Sequence, residues 1–467
     1  MKSGAFGKRF APYLDILRLS WPLALGMVNN AVMQFIDRAY LANSSLEAFD
    51  AVLPASTLSW VFGSFFQSVV AYAGVFIAQY HGAGNPRMCA RSYRAATLIA
   101  VAAGLMMTQL VPLANAIIAL TAPSETIALY ERDYCDITMF GGFFVFGQMA
   151  ASSYFTGRGS TRVVFGVNLL GNLLNIALDP FLIFGWCGLP ALGIAGAAYA
   201  TVGATAVQWI VLAVIAERRV RTAREGAATA SLAALVGRIL RFGIPSGAYS
   251  VLSMLSFTTF VFVTEQVGRL ECAVSNAVFT LNYLLYAPME GFAIGAQTLV
   301  GQARGRGDDA EADRVAWRTV VLASGICALA AGVTLVFHRP VLALFAPADS
   351  ASSAEFLSLG FTLVLYMGAY LVLDAADTVL CGALKGAGDT IFVMGWITFC
   401  AFGIWMPLVW FVSRASFTMP HLWMTTVVYV LAVFTGSFLR WRRGVWRRIR
   451  LVRPSPSRPS AELDITG

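Results

Sequence analysis

Charged residues are scarce in this chain of 467 residues: Asp, Glu, Lys and Arg make up 12%, whereas hydrophobic residues make up 58%. A soluble domain carries about 25% charged residues, so a water-facing globular fold is excluded. A helix needs about 20 mostly apolar residues to cross a membrane. The length therefore accommodates about a dozen spans with short loops, and it leaves no room for a large catalytic domain outside the membrane.

Motifs that support catalysis or ATP use are missing as well. The sequence contains no GxxxxGK[ST] phosphate-binding loop, which excludes direct use of ATP by this chain. The seven cysteines include no CxxC pair, so they indicate packing residues and not a zinc site or a disulfide framework. The three histidines form no HExxH motif, which argues against a membrane-embedded metalloenzyme. We predict a non-enzymatic protein without a cofactor.

Apolar runs bounded by charges and turn residues predict an all-α integral membrane protein with twelve transmembrane helices. The predicted spans lie at 15–42, 51–79, 96–121, 135–156, 163–185, 191–216, 244–267, 273–302, 316–337, 356–384, 390–413 and 420–439. With the N-terminus inside, 28 of the 33 Lys and Arg residues fall in inside segments, as the positive-inside rule requires. This predicts a multi-pass protein of the plasma membrane, which we expect to be a bacterial inner membrane, with both termini cytoplasmic. The net charge of +8 follows from the topology and does not indicate nucleic acid binding.

Short stretches of the first half of the chain recur in the second half in the same order. The pairs are 17–22 with 240–245, 79–85 with 302–308, and 157–161 with 386–390. Each repeat contains six predicted spans, so the two halves begin on the same side and are expected to be related by an axis along the membrane normal. The glycine pairs in these stretches predict tight helix-to-helix turns, because none follows a strand as a nucleotide-binding loop would.

The spans divide the chain into five segments. They are a cytoplasmic N-terminus, an N-lobe of six helices, a cytoplasmic linker, a C-lobe of six helices and a basic, then disordered, tail: 1–14, 15–216, 217–243, 244–440 and 441–467. The basic and aromatic residues that begin the tail favour contact with anionic lipid headgroups. The repeat of six spans favours alternating access over a fixed pore.

Two acidic residues of the first half lie well inside apolar spans, away from the first and last turns. An ionised carboxylate at the bilayer centre costs about 2.5 to 3.5 kcal/mol, so each calls for a reason. Asp37 and Asp179 lie five to six residues before the outer ends of the first and fifth spans, at nearly equal depth. If these helices are neighbours, the two carboxylates can hold a proton or coordinate Na⁺, and no other metal site is predicted. Arg38 is an alternative partner for Asp37, although successive helical residues point about 100° apart.

The fifth span carries a polar stripe on one helical face: Asn168, Asn172, Asn175 and Asp179. A stripe facing lipid would be costly, so we expect it to face the protein interior. For the asparagines, a function and simple interhelical hydrogen bonding, worth about 0.6 kcal/mol per contact, stay open. For Asp179 we favour a function in ion binding.

The second half carries Asp374 and Asp377 on one helical face, and Glu290 near the middle of the eighth span. Asp374 is interpreted as functional. Glu290 is open between a functional carboxylate and a neutral, hydrogen-bonded carboxyl beside Pro288. Pro22 lies inside the first span, where it marks either a bend point or a static kink.

Several of these residues form a pattern that resembles the multidrug and toxic compound extrusion (MATE) family. The similarity covers about residues 15–440, and its most specific part joins the fifth and sixth spans. The matching stretches are Pro22 with Asp37, 79–85, 175–180, 188–201, and 374–386.

The resemblance implies two six-helix lobes around a V-shaped cleft, and export of organic compounds in exchange for protons or Na⁺. Asp37, Asn175, Asp179 and Thr201 match the positions of the family's cation site in the N-lobe. Asp374 matches a carboxylate of the tenth span, whereas residues 251–255 lack the glutamate that some members carry early in the seventh span. The resemblance also implies that bending of the first helix accompanies protonation.

We therefore expect a secondary antiporter that exports organic, cationic or amphiphilic compounds, with H⁺ or Na⁺ as the coupling ion. Its expected partners are small-molecule substrates and membrane lipids, and we expect a monomer. The alternative is a flippase for lipid-linked precursors, which would need a cationic cleft for a phosphate-bearing headgroup. The intramembrane charges found here are acidic instead. A channel or scaffold has no positive indication beyond hydrophobicity.

Overall fold

The computed structural model describes residues 3–222, 230–347, 350–415 and 418–452, and within these ranges it is helical without a strand. The helices are α1 (Ser3–Ala42), α2 (Leu46–Ala71), α3 (Ala73–Gly82), α4 (Pro86–Gln109), α5 (Val111–Thr121), α6 (Glu125–Phe140), α7 (Gly142–Gly157), α8 (Thr161–Ile183), α9 (Ile194–Thr222), α10 (Leu232–Glu265), α11 (Arg269–Arg306), α12 (Asp309–Val336), α13 (His338–Ala343), α14 (Ser350–Ala387), α15 (Thr390–Thr398), α16 (Met406–Ala415) and α17 (Met419–Arg442). Short 3-10 turns lie at Trp186–Gly188 and Val445–Arg448, and a π-helical segment, Phe399–Trp405, joins α15 to α16.

Among the described residues, eight helices are long and apolar enough to cross a membrane, and α4 with α5 makes a ninth span bent by 41°. The predicted spans that remain correspond to α1, to α6 with α7, and to α11. α6 and α7 have 16 residues each, fewer than a single helix needs to cross a membrane, and α1 and α11 carry polar and charged residues within their apolar stretches.

The contacts within the chain define two compact units. The first unit comprises the residues up to Ala24, Leu252–Val300 and Asp308–Arg450. The second unit comprises Leu25–Val251, Gly301–Gly307 and the residues from Leu451 onward. The boundaries therefore fall inside α1, α10 and α11. The lobes proposed from the sequence, 15–216 and 244–440, stay a prediction, and residues 453–467 of the predicted tail lie outside the described ranges.

The repeated glycine motif forms the same turn in both halves of the chain. Gly84 and Gly307 adopt φ of 67° and 81°, a left-handed conformation that glycine reaches at little cost. Asn85 and Asp308 follow, and each accepts a hydrogen bond from the backbone N–H three residues further on, at 3.1 and 2.8 Å. The motif therefore ends one helix and caps the next, as the sequence predicted.

The first glycine of each motif serves close packing within the second unit. A Cβ atom on Gly82 would lie 2.0 Å from the backbone oxygen of Gln302, and one on Gly305 would lie 1.9 Å from that of Gln79. Contacts this short cannot exist, so both positions require glycine unless the backbones separate. Gly82 of α3 thus packs against the backbone of α11, and Gly305 of α11 packs in the same way against the backbone of α3.

Candidate functional site

The candidate site lies in the second unit, where α1, α8 and α9 come together. The turn between α8 and α9 satisfies the carbonyl oxygens at the end of α8: Leu192 donates to Leu182 at 2.9 Å and Gly193 donates to Ile183 at 3.2 Å. Gly196 then packs so tightly on α8 that a Cβ atom would lie 2.4 Å from the oxygen of Leu182. This close approach explains the glycine-rich stretch between the fifth and sixth predicted spans, and it brings Thr201 beside Asn175.

The structure brings Asp37 and Asp179 together, as their equal depth predicted. Their carboxyl groups face each other closely enough to interact directly. Asn175 links them to α9. In the amide orientation that satisfies both neighbours, Nδ2 of Asn175 donates to Oδ1 of Asp37 at 2.9 Å, and the amide oxygen of Asn175 accepts from the backbone N–H of Thr201 at 3.2 Å. All four residues predicted for the cation site therefore lie in one place.

Asp179 has an unusual environment in this site. Its side chain is fully buried, and neither carboxyl oxygen receives a hydrogen bond of acceptable geometry from the described residues. Arg38 is exposed and forms no ion pair within 4.0 Å of Asp37 in the described ranges, so it acts on that carboxyl only over a longer distance. Two adjacent carboxylates in a low-dielectric interior repel each other, and the described residues offer no cation within ion-pair distance to offset this. The site can therefore share a proton or hold a small cation through oxygen atoms.

Tyr134 of α6 belongs to the same neighbourhood. Its half-buried hydroxyl lies close enough to interact electrostatically with both Asp37 and Asp179. The sequence analysis missed it, because one tyrosine among fifteen gives no periodic signal.

The polar stripe of α8 faces the interior, and its amides bond to neighbouring helices. Gln148 of α7 donates to Asn168 at 3.0 Å, and Asn172 donates to Asn30 of α1 at 2.8 Å. Gln208 of α9 donates to the side-chain oxygen of Asn172 at 3.3 Å. Gln148 and Gln208 were not predicted, since each is a single amide in an otherwise apolar stretch. Asn30 was missed as well, although it lies seven residues before Asp37 on the same helical face.

In the first unit, Glu290 lies in a hydrogen-bonded cluster. Tyr286 donates to Oε1 of Glu290 at 3.0 Å, and its hydroxyl also lies 3.1 Å from that of Thr378. This geometry agrees with a hydrogen-bonded carboxyl, although the donor is a tyrosine one turn away. Asp374 interacts electrostatically with both Glu290 and Asp377, so the three acids predicted in the second half form one group.

Asp377 is buried among other partners. The thiol of Cys381 lies 3.6 Å from one of its carboxyl oxygens and 3.5 Å from the hydroxyl of Ser437, which also reaches Asp377. Lys385, two turns further along α14, interacts electrostatically with Asp377 and Glu290. Glu290 and Asp377 thus have hydroxyl, thiol or ammonium groups beside them, whereas Asp374 interacts with the other two acids.

Pro22 lies within α1, which continues without interruption from Ser3 to Ala42. The boundary between the two compact units falls between Ala24 and Leu25, only two residues after the proline. Pro22 therefore lies where this helix passes from one unit into the other.

The MatE family model matches residues 22–181 and 245–411, which make up most of both halves of the chain. This chain belongs to the MATE family. The first matched range contains Pro22, Asp37 and Asp179, and the second contains Glu290 and Asp374. Thr201 lies outside both ranges, and its place in the site rests on its contact with Asn175.

Relatives of known sequence are similar along almost the whole chain. A probable multidrug resistance protein NorM of Thermotoga maritima is 25% identical over 441 residues, which is 93% of each chain. The multidrug resistance protein NorM of Burkholderia vietnamiensis is 25% identical over 437 residues, covering 92% of this chain and 93% of the relative.

Solved structures share the fold. A crystal structure of a MATE protein in the bent conformation superposes with a TM-score of 0.82 at 19% identity, over 94% of this chain and 96% of the other. A MOP superfamily transporter from Pyrococcus furiosus gives 0.79 at 19% identity, over 94% and 97%. The prediction of an all-α membrane protein with the twelve-helix MATE fold is confirmed. This MATE-family chain is a multi-pass membrane protein whose relatives are transporters.

Proposed function

We propose that this MATE-family protein is a secondary antiporter that exports organic, cationic or amphiphilic compounds in exchange for H⁺ or Na⁺ by alternating access. The observation that carries this proposal is the close approach of Asp37, which is half-buried, to Asp179, which is fully buried. Both oxygens of Asp179 lack a hydrogen-bond donor among the described residues, and the pair has no basic partner within ion-pair distance there. Such a pair is stabilised by whichever cation enters it.

The geometry supports a way to couple ion binding to helix movement. Without a proton or Na⁺, the two carboxylates repel, and this favours separation of α1 from α8. A bound cation removes the repulsion and allows the helices to approach. Pro22 leaves one backbone hydrogen bond unmade in α1, so bending at this point is less costly than elsewhere. The outer part of α1 then changes position as the ion enters or leaves.

The acids of the first unit are proposed to take a second part in transport. Asp374, with Asp377 and Glu290 beside it, supplies negative charge that suits an organic cation, and aromatic residues offer cation–π contacts. We propose a monomer of the plasma membrane with both termini in the cytoplasm, in contact with small-molecule substrates and membrane lipids. No cofactor is proposed.

The test is transport by purified protein in proteoliposomes loaded with a fluorescent organic cation. We expect the wild type to move the dye when a pH gradient or an Na⁺ gradient is imposed, and an ionophore selective for H⁺ or Na⁺ identifies the ion by abolishing transport. The double variant Asp37→Asn, Asp179→Asn keeps the shape of both side chains and removes their charge. Gradient-dependent transport by this variant at the wild-type rate would refute the assignment of the coupling site.

A further inference from the structure

The amide contact between Asn30 and Asn172 repeats the spacing of the acidic pair. Asn30 and Asn172 are 142 residues apart in the chain, and so are Asp37 and Asp179. Within each helix the amide precedes the acid by seven residues, which is about two turns or 10.5 Å. The two contacts therefore join α1 and α8 at equivalent positions, with both helices running in the same direction.

Two contacts at a seven-residue spacing are typical of a pair of helices held in a fixed register. A seven-residue spacing keeps the same helical face toward a partner, and a buried asparagine at such a position fixes which residues oppose each other. The contact is short, with Nδ2 of Asn172 2.8 Å from Oδ1 of Asn30. Because Asp37 lies two turns beyond Asn30, any slip at the amide contact also moves Asp37 relative to Asp179.

A third helix holds Asn172 in place. Gln208 donates to Oδ1 of Asn172 at 3.3 Å, and both side chains are more than 90% buried. The side chain of Gln208 lies directly over Gly171, where a Cβ atom would meet it at 2.1 Å. Thr201, which contacts Asn175 in the acidic site, lies seven residues before Gln208 on α9. The same helix therefore supports both the amide contact and the acidic pair.

The position of Asn30 along α1 gives the contact its importance. This helix enters the second unit at Leu25, and Asn30 lies five residues later. The part of α1 that belongs to the second unit is thus attached near its beginning by an uncharged hydrogen bond and near its end by the acidic pair. The first attachment does not depend on the charge of a carboxylate, so it persists while the second responds to ions.

We propose that the hydrogen bond between Asn30 and Asn172 sets the register of α1 on α8 and thereby positions Asp37 opposite Asp179. The proposal concerns positioning residues and deepens the proposed function, on which its effect on transport rests. Its effect on helix register does not rest on that function, and the two are tested separately.

The chain offers matched variants. Asn30→Leu removes the acceptor on α1, whereas Asn30→Asp retains a carbonyl-type oxygen in the same place. Asn168→Leu is the control, because it also removes one amide–amide hydrogen bond from α8 but leaves the contact with α1 intact. If these amides are only general interhelical bonds, Asn30→Leu and Asn168→Leu will have equal effects.

Helix register is measured without transport by cross-linking. The parent protein carries Asp37→Cys, Asp179→Cys and Cys135→Ala, and the disulfide between positions 37 and 179 is identified by mass spectrometry after mild oxidation. We expect Asn30→Leu to slow its formation about tenfold, because a displacement of about 1 Å strongly affects reactions that need fixed geometry. Asn168→Leu and Asn30→Asp should stay within about twofold of the parent. Equal rates in Asn30→Leu and Asn168→Leu would overturn the proposal.

The second measurement uses the intact acidic pair and the proteoliposome assay. We expect Asn30→Leu to shift the coupling-ion concentration that gives half-maximal transport by about tenfold, with Asn168→Leu within about twofold. Slower cross-linking with an unchanged ion dependence would uphold the register contact and refute the proposed coupling function. Unchanged cross-linking would refute the register contact, whatever transport shows.

Discussion

The acidic residues of the two units have opposite surroundings. In the second unit, Asp37 and Asp179 face each other, and Asn175 donates to one of them while Asp179 receives no donor among the described residues. In the first unit, Glu290 accepts from Tyr286, and Asp377 lies beside Cys381, Ser437 and Lys385. Glu290 and Asp377 thus have hydroxyl, thiol or ammonium groups beside them, whereas Asp179 has no hydrogen-bond donor among the described residues.

This difference shows why an acid inside a membrane span is not in itself an ion-coupling residue. A carboxyl that has a hydroxyl donor and an ammonium group nearby can stay in the protein at a tolerable cost. A pair without these partners is sensitive to the protons or Na⁺ around it. We infer that the pair in the second unit depends more strongly on the coupling ion than the group in the first unit does.

The largest expected effect comes from removing one charge of the unbalanced pair. Asp179→Asn should lower gradient-driven efflux about 100-fold, equivalent to about 2.7 kcal/mol, because the remaining carboxylate no longer needs a cation to offset repulsion. Asp377→Asn is the matched variant in the first unit, because that carboxyl has a thiol, a hydroxyl and an ammonium group beside it, and we expect a loss of about tenfold or less. Initial rates of dye efflux from proteoliposomes at equal protein content give both values. Equal losses in the two variants would contradict the comparison.

The second prediction removes the positive charge that lies beside Asp377 and Glu290 in the first unit. Lys385→Gln should lower the free energy of unfolding by about 2 kcal/mol at pH 8, since Asp377 and Glu290 lose a nearby positive charge. The loss should be smaller in an Asp377→Asn background, where Lys385 has one carboxylate fewer to offset. Unfolding in SDS, followed by tryptophan fluorescence, measures both values.

Arg269→Gln is the control for Lys385→Gln, because it removes an exposed cation from the first residue of α11. We expect less than about 0.5 kcal/mol in either background. A loss in Lys385→Gln that is the same with and without Asp377→Asn would show that the lysine serves packing and not charge balance.

The sequence was sufficient to predict the features that depend on periodicity and depth. Twelve apolar spans and the equal depth of Asp37 and Asp179 follow from the pattern of apolar residues. Helix ends were predicted less well: the third span was expected at 96–121, whereas α4 begins at Pro86 and the helix bends after Gln109. The first turns of α4 carry arginines that hydropathy excludes from a span, although they remain helical.

The residues that could not be predicted are those whose partners lie far away in the chain. Only the packing of α1 and α9 on α8, and of α6 on α9, brings Asn30, Tyr134 and Gln208 to the site. Lys385 was counted as a cytoplasmic charge that sets topology, yet it lies beside Asp377 and Glu290. Sequence periodicity gives the face of a helix but not which helix that face meets.

The third prediction concerns a place where the two halves of the chain are equivalent. Gly82→Ala and Gly305→Ala should each lower the free energy of unfolding by about 1.5 kcal/mol, because each new methyl group meets a backbone oxygen that must move. Equal effects are expected from the reciprocal geometry, in contrast to the unequal effects of the acidic residues. Gly166→Ala is the control: no atom lies within 4 Å of its Cβ position, so it should be neutral or slightly stabilising. Clearly different losses of stability in Gly82→Ala and Gly305→Ala would show that the two geometrically equivalent contacts contribute unequally to the free energy of unfolding.

The smallest expected effect distinguishes the repeated turns before α8 and α15. Arg440 donates to both oxygens of the buried Asp389, at 2.8 and 3.2 Å, whereas Arg219 reaches only the hydroxyl of Ser160, at 3.4 Å. Asp389→Asn should therefore cost about 1 kcal/mol of stability, and Ser160→Ala about 0.3 kcal/mol.

The variant Ser160→Asp reverses this difference by giving the first turn the acid of the second. A carboxylate at position 160 would face Arg219 and precede the first turn of α8, where negative charge is favourable, so we expect a gain of about 0.5 kcal/mol. SDS unfolding at low and high salt measures it, and a gain that stems from the new ion pair should shrink as salt increases. A loss of stability in Ser160→Asp would mean that the first turn cannot accommodate the geometry of the second, and that the two repeats differ in backbone placement as well as in side-chain charge.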